Sequence, residues 1–398
     1  MTKTDRPMSR LLFVVCIFTP CLSLSATELS PLPDGPYSVA STNMEIADRH
    51  KDMTDEDMHL HLIGDTSFFG GTMYVADLMK YPDSVWITDV KIPEDDIYGP
   101  LSDDTLDVVS YVTYPTQPVT VPNPYDFPYH NANYGSFTHM LLPGEKPRLA
   151  TNQEKYPLVI LSHGSNAHGI YDIEHANGIA RHGYIVAVIT YGENRTHRML
   201  SGSAHTQFLR PLITRAVIDS LLDSSEFGPF IDRENIAISG FSFGGFTALA
   251  TAGGKVSGEA RSAHHPLISA AVTTAPWTGG NYSGQTVYAF GEGNVGLSGI
   301  DIPIITLFGG KDDITPADFI LPAVKQLKGP TYVVELIDQT HAFQEASWED
   351  RNNWELLFLN AYLKNDEEAL AQLKTGTSMQ GGNGDRQLFE FQKLPVNK

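Results

Sequence analysis

The chain has 398 residues and a formal net charge of −20 at pH 7, and its balance of apolar and charged residues is that of an ordinary globular protein. The composition therefore excludes a disordered or repetitive chain. The charge argues against nucleic acid and anionic membrane surfaces as partners, because both would repel this protein. The length allows one large domain or two to three small ones.

The first 26 residues have the pattern of a secretory signal peptide. Three basic side chains precede an apolar run over residues 11–24, which is short for a membrane span, and small residues follow it. An uncleaved anchor is the alternative. Cleavage would remove both cysteines, Cys16 and Cys21, and with them any disulfide or thiol chemistry. The sequence predicts a secreted or periplasmic protein without a membrane span in its mature chain.

Residues 27–150 are predicted to hold two strands of the main domain, at 37–46 and 108–114. Between them, residues 48–106 read as an acidic, irregular insert. Residues 115–156 are rich in Pro, Tyr and Asn, which favours a loop lying over the front of a site.

Two stretches of the insert raise a metal hypothesis. His59, His61 and Asp65 offer imidazole and carboxylate ligands. An alternating strand with polar residues on one face explains the same pattern, and the sequence favours it. The acidic residues between 94 and 104 lack the glycine and the spacing of a known calcium loop, so a solvated loop is favoured there. We predict no metal and no cofactor.

From residue 157 short apolar runs alternate with amphipathic segments. Continuous apolar runs are typical of strands that are buried on both faces. The predicted strands cover 157–161, 184–190, 236–238, 268–274, 302–308 and 332–337, and the predicted helices cover 170–181, 206–222, 316–327 and 348–363. This alternation predicts an α/β fold, with a mostly parallel central sheet and helices on both faces, over residues 151–364. Residues 365–398 are predicted to be a C-terminal tail.

A G-x-S-x-G motif, GFSFG, extends from Gly240 to Gly244 after the strand at 236–238. Its serine, Ser242, would lie on a sharp turn between a strand and a helix, where side chains on the flanking glycines would collide. The helix N-terminus behind it supplies N–H groups and a positive partial charge where an oxyanion would develop. The motif alone is short enough to occur by chance, so its context decides.

A serine hydroxyl needs a base to accept its proton and a carboxylate to orient that base, and in folds of this type the order is serine, acid, histidine. Asp312 follows a predicted strand in GGKDDITP, and Asp313 is the alternative acid. A helix cap is the simpler interpretation of either aspartate. His341 follows the next strand and is the predicted base, whereas His264 and His265 precede the acid and break the order.

Two backbone N–H groups would have to bind the oxyanion. One is predicted to belong to Phe243, after the nucleophile, and the other to Ser165, in the loop after the strand at 157–161. Gly164 lets this backbone turn into the site, and His163 is predicted to brace the loop. Trp277 follows a strand end, where it would line an acyl pocket or simply pack in the core.

These motifs together resemble the α/β-hydrolase superfamily, and more narrowly the platelet-activating-factor acetylhydrolase type and the related predicted dienelactone hydrolases. The resemblance covers about residues 150–364, plus the strands at 37–46 and 108–114. It is carried by PLVILSHGS (157–165), HGYIVAVI (182–189), FLRPL (208–212), IDRENIAISGFSFGGFTAL (231–249) and GGKDDITP (309–316).

The resemblance implies an α/β-hydrolase fold, a Ser242–Asp312–His341 triad, and an oxyanion hole at Phe243 and Ser165. Dienelactone hydrolases use a cysteine nucleophile, so a serine here makes dienelactone an improbable substrate. The insert is also longer than the family pattern, and no apolar lid helix stands out, so substrate preference does not carry over.

We therefore expect a serine esterase that acts on small or short-acyl esters, with platelet-activating-factor-like phospholipids included. A peptidase or amidase with the same triad is one alternative. A non-catalytic binding protein on a hydrolase fold is the other, and the presence of all the catalytic residue types argues against it.

Overall fold

A computed structural model describes residues 27–41, 86–117, 123–126, 136–139, 147–165, 167, 169–191, 205–257 and 263–395. The strands in this part of the chain are β1 (Thr27–Leu29), β2 (Ser38–Ser41), β3 (Trp86–Lys91), β4 (Thr105–Thr116), β5 (Asn123–Asp126), β6 (Ser136–His139), β7 (Tyr156–Ser162), β8 (Ile185–Thr190), β9 (Ile231–Phe241), β10 (Ile268–Thr274), β11 (Gly279–Tyr282), β12 (Gln285–Tyr288), β13 (Ile304–Gly309), β14 (Thr331–Leu336), β15 (Gly376–Met379) and β16 (Asp385–Gln387).

The α-helices in the same residues are α1 (Ile173–Arg181), α2 (Thr206–Asp223), α3 (Phe243–Thr251), α4 (Ala317–Gln326), α5 (Glu345–Leu363) and α6 (Glu367–Thr375). Short 3-10 helices cover Asp96–Leu101, Gly169–Asp172, Gly228–Phe230, Glu292–Gly299 and Phe389–Phe391. In the described parts of the chain, no helix is both long enough and apolar enough to cross a membrane.

The centre of the protein is a ten-stranded sheet in the order β16-β14-β13-β10-β9-β7-β8-β4-β2, with β3 also paired to β4. The six consecutive strands from β14 to β8 are parallel. The strands at both edges are antiparallel. The predicted mixed α/β class with a mostly parallel central sheet is confirmed.

Both faces of this sheet are buried, as the continuous apolar runs predict. Every residue of β7 is buried, and its side chains alternate between two hydrophobic cores. Leu158 and Ile160 pack in the core that contains side chains of α2, α3 and α4. Val159 and Leu161 pack on the opposite face, with side chains of α1, α5 and α6.

The direction of the chain reverses around β7. The chain continues from β7 to β8 on one side and then crosses to β9 on the other, so β7 lies between them. Ligand sites of open α/β sheets form at such a reversal, at the carboxyl ends of the strands. Here the loop after β7 and the turn after β9 become neighbours, although they are about 80 residues apart in the sequence.

The predicted insert at 48–106 is wrong in its last part. Trp86–Lys91 forms an edge strand that pairs with the first half of β4, and Val90 and Ile92 are buried. An edge strand exposes alternate residues, and the charged side chains of Asp89 and Lys91 fill those positions. Residues 48–85, with His59, His61 and Asp65, lie outside the described residues, as do residues 1–26.

The loop predicted over 115–156 also needs correction. Asn123–Asp126 and Ser136–His139 pair as a two-stranded antiparallel sheet, although the first of them, NPYD, is rich in turn-forming residues. Further on, Leu149 is buried and forms an isolated bridge to Thr116.

The predicted C-terminal tail is wrong, because residues after 364 complete the fold. Gly376–Met379 pairs with β1, and Asp385–Gln387 adds an antiparallel edge to β14. Leu373 and Met379 are buried in the core on that face. These strands are three and four residues long, and their partners are distant in sequence, so no local periodicity marks them.

The C-terminal segment buries two carboxyl groups close to each other. Asp350 of α5 is buried beside Asp385, whose Oδ2 accepts a hydrogen bond from the indole of Trp354. Burial, together with the charge of Asp385, raises the pKa of Asp350 to about 6. Gly382 approaches this carboxylate so closely that a Cβ there would overlap it. The folded protein thus favours the protonated form of Asp350.

We predict that Asp350→Asn stabilises the protein at neutral pH and not in acid. When folding raises the pKa of a carboxyl, the folded protein loses stability as the pH rises from the unfolded pKa to the folded pKa of that group. Here this range is from about 4 to about 6. The free energy of unfolding of the variant should exceed that of the wild type by about 2–3 kcal/mol above pH 6.5, and the two should be equal near pH 4. Urea unfolding at pH 4, 5.5 and 7 measures it, and parallel pH curves for the two proteins would contradict it.

Candidate active site

Ser242 lies on a strained turn between β9 and α3. Its φ of 57° and ψ of −118° are unfavourable for a residue with a side chain. Its backbone is held on both sides, because the N–H donates to Thr274 O at 2.8 Å and the carbonyl accepts from Phe246 N and Trp277 N. The neighbouring strands and α3 therefore impose this conformation.

The glycines of the G-x-S-x-G motif are required by close contacts. A Cβ on Gly240 would overlap the carbonyl of Gly244, and a Cβ on Gly244 would overlap the carbonyl of Ser162 at the end of β7. The first residues of α3 thus lie directly against the neighbouring strand. This approach sets Ser242 beside the loop that follows β7.

Ser242, His341 and Asp312 form one hydrogen-bonded chain. The Nε2 atom of His341 lies 2.9 Å from Ser242 Oγ, and its Nδ1 atom lies 2.7 Å from Asp312 Oδ2. An ionised carboxylate can only accept, so Nδ1 carries the proton and Nε2 is free to accept one from the serine. The three side chains come from the ends of β9, β13 and β14, which the topology brings together.

The carboxylate of Asp312 is fully buried and fully hydrogen-bonded. Its Oδ1 accepts from the N–H groups of Ile314 and Thr315, both at 2.9 Å, and its Oδ2 accepts from Thr315 Oγ1 at 2.8 Å. Burial alone would raise the pKa of Asp312, but the hydrogen bonds from His341 and Thr315 outweigh it and lower the pKa. Asp312 is therefore ionised at neutral pH.

Aromatic rings shield the imidazole of His341, whose side chain is 15% exposed. The ring of Phe241 lies 4.9 Å from it, centre to centre. Phe343 and Trp348 pack around Phe241 in turn. This packing keeps much of the water away from the contact between base and serine.

The loop after β7 lies against Ser242. A Cβ placed on Gly164 would be 3.5 Å from the Cβ of Ser242. The carbonyl of Gly164 lies 2.8 Å from Nδ1 of His163, which is buried, and the backbone N–H of Tyr191 points at the other ring nitrogen at 3.5 Å. His163 therefore contacts its own loop, whereas Ser165 is exposed at the tip.

The N–H of Phe243 belongs to the first turn of α3. The first N–H groups of an α-helix have no acceptor within the helix, and they carry the positive end of its dipole. Phe243 directly follows Ser242, so its N–H and that of Ser165 lie on the two segments that border the hydroxyl.

A buried ionic cluster lies beneath the turn, on the other face of the sheet. Arg351 of α5 donates to Thr274 Oγ1 at 3.0 Å and lies 2.9 Å from Glu355, which also pairs with His175. Burial would raise the pKa of Glu355, but Arg351 and His175 lower it to about 2. Thr274 thus binds Arg351 through its side chain and Ser242 through its carbonyl.

The alternative acid and the two other histidines lie outside the hydrogen-bonded chain, and Trp277 lies beside it. Asp313 is exposed, beside the aspartate that contacts the histidine. His265 is buried with Nε2 3.1 Å from Asp219, and burial lowers the pKa of His264. Trp277 lies next to Ser242, whose carbonyl accepts from its backbone N–H, and its indole N–H donates to Tyr282 Oη at 2.8 Å.

Sequence reasoning missed three residues at this site. Thr315 donates to Asp312, Arg351 supports the strand end, and Arg210 of α2 donates to the carbonyls of His163 at 2.6 Å and Gly164 at 3.0 Å. The sequence weakly indicates that Arg210 is buried, because the neighbouring positions of its helix are apolar.

Comparison of the chain with known protein-family models and with curated proteins finds no match. The geometry of the described residues is therefore the basis for any statement about function.

We predict that Gly244→Ala disrupts the turn. The added methyl group would overlap the backbone of Ser162, which no side-chain rotation can relieve, so the free energy of unfolding should fall by about 3 kcal/mol. Gly178→Ala is a matched control, since a Cβ there has nothing within 4 Å and lies inside α1. It should stabilise by about 0.5–1 kcal/mol. Equal urea-unfolding curves for the two variants would contradict the close-contact argument.

Proposed function

We propose that this protein is a serine carboxylic-ester hydrolase built on an α/β-hydrolase fold. The observation that carries the proposal is the hydrogen-bonded chain from Ser242 through His341 to Asp312. The strained turn and the ionised, buried carboxylate support it, because both add strain or desolvation that a purely structural contact does not need.

The mechanism uses groups of this chain at each step. His341 Nε2 accepts the proton of Ser242 as its Oγ attacks the ester carbonyl, and Asp312 stabilises the imidazolium. The N–H groups of Phe243 and Ser165 bind the oxyanion of the tetrahedral intermediate. His341 then protonates the departing alkoxide, leaving an acyl group on Ser242.

Water completes the cycle. His341 accepts a proton from a water molecule that attacks the acyl-enzyme, and returns it to Ser242 as the acid leaves. Small or short-acyl esters are the proposed substrates, with platelet-activating-factor-like phospholipids among them. An amide substrate would use the same groups and differ in its poorer leaving group.

We predict that Ser242→Ala abolishes ester hydrolysis. Purified protein should hydrolyse nitrophenyl acetate and butyrate, and the variant should lose about 10⁴-fold or more in kcat/KM, since removing a nucleophile disables its base as well. Ser269→Ala, at the amino end of β10, is the control and should retain activity. Equal activity in wild type and Ser242→Ala would refute the proposal, and cleavage of matched amides without esters would replace it with an amidase.

We predict that Asp312→Asn strongly lowers kcat and that Asp313→Asn leaves kcat nearly unchanged. The first removes the charge that holds the tautomer of His341 and should lower kcat by about 10⁴-fold. The second changes an exposed neighbour without a contact to the imidazole and should alter kcat by no more than about twofold. The same nitrophenyl ester assay measures both, and a larger loss in Asp313→Asn would reassign the acid.

A further inference from the structure

Arg210 is a charged side chain in the interior, with none of its surface exposed. It extends from α2 towards the loop after β7, where Nη1 lies 2.6 Å from His163 O and Nη2 lies 3.0 Å from Gly164 O. Burial of a cation is unfavourable unless its N–H groups find acceptors. Two of those acceptors are successive carbonyls of the loop that borders the nucleophile.

The contact with Gly164 fixes the direction of the next N–H group. The carbonyl of Gly164 and the N–H of Ser165 belong to one planar trans peptide, so they point in opposite directions. When Arg210 holds the oxygen on one side, the N–H faces the other. The position of Gly164 beside the Cβ of Ser242 places this peptide at the reacting group.

The same guanidinium contacts the residue that carries the other N–H group. Its central carbon lies 4.9 Å from the ring centre of Phe243 and 4.6 Å from that of Tyr191. The ring of Phe243 also stacks on Phe246 at 5.0 Å. Arg210 thus touches both segments that border Ser242.

We propose that Arg210 is the positioning residue of the oxyanion hole, which it orients through the Gly164–Ser165 peptide and the ring of Phe243. This inference rests on the proposed esterase function. The charge also has an electrical effect, because a charge-assisted hydrogen bond to a carbonyl polarises the peptide and makes its N–H a stronger donor. No covalent step involves Arg210.

Such a role predicts a specific kinetic effect. Donors that are preorganised for the oxyanion interact more strongly with the tetrahedral intermediate than with the bound ester. Loss of Arg210 should therefore lower kcat and leave KM nearly unchanged.

The experiment compares wild type, Arg210→Gln and Arg210→Lys on a nitrophenyl ester and on its thiono analogue, in which sulfur replaces the carbonyl oxygen. Sulfur is a weak acceptor, so the ratio of oxygen-ester to thiono-ester rates reports the strength of the oxyanion hydrogen bonds. We expect Arg210→Gln to lower kcat by about 10²-fold and to reduce the ratio by about tenfold, with KM within about threefold. Arg210→Lys keeps the charge but not the fork that reaches two carbonyls, so it should be intermediate.

Thr214→Val is the control for a general loss of stability caused by a substitution in the same helix. Thr214 is buried, its Oγ1 donates to the carbonyl of Arg210 at 2.8 Å, and the same atom lies 2.8 Å from Tyr191 Oη. It should lower thermal stability while the oxygen-to-sulfur ratio stays at the wild-type value.

The outcomes separate this inference from the esterase proposal. Folded Arg210→Gln with a wild-type ratio, or with an activity loss that matches Thr214→Val, would overturn the role of Arg210 while wild-type esterase activity stands. If Arg210→Gln fails to fold, an unchanged ratio in Arg210→Lys overturns it equally. A wild type that cleaves no ester, with Ser242→Ala indistinguishable from it, would instead refute the esterase itself.

Discussion

The turn at Ser242 exists because three parallel strand ends leave so little room around it. The backbone of Gly244 lies against Ser162 at the end of β7, and Gly245 lies against Pro276 beyond β10. The N–H of Ser242 is held by Thr274 on the same side. Between these two fixed flanks the chain enters α3 through a positive φ at Ser242. The positions of the loop after β7, the imidazole and the carboxylate all follow from this geometry.

Two buried arginines hold the strand ends from opposite faces of the sheet. Arg210 comes from α2 and binds the loop after β7, whereas Arg351 comes from α5 and binds Thr274 beneath the turn. A buried charge gains little net stability from its partners, because desolvation offsets the attraction. Apolar side chains would fill the same space without the cost of desolvating a charge. The advantage of guanidinium groups here is directional, since each binds defined oxygen atoms in the segments that border Ser242.

Local patterns were sufficient for the core of the fold and for the candidate triad. The strands of the parallel sheet are continuous apolar runs, and the G-x-S-x-G motif has a steric meaning that does not depend on distant residues. Asp312 and His341 could be placed because each directly follows such a strand. The strands after residue 375 could not, because they are short and their pairing partners lie far away in sequence. The edge strand at Trp86–Lys91 pairs with the next strand along the chain, but its exposed positions carry Asp89 and Lys91. Arg210 escaped for a similar reason, since its acceptors are main-chain carbonyls 46 and 47 residues away.

The two phenylalanines of the motif, Phe241 and Phe243, pack on opposite sides of Ser242. Phe241 packs on the imidazole of His341, on the side of its hydrogen bonds to Ser242 and Asp312. Phe243 packs on Arg210 and Trp277, on the side of the helix N-terminus. A less polar environment strengthens hydrogen bonds and charge interactions on both sides. The indole N–H of Trp277 donates to Tyr282, a residue that is 49% exposed. The imidazole of His341 is therefore enclosed by rings that are packed against each other, whereas Phe243 and Trp277, on the opposite side of Ser242, are only half-buried.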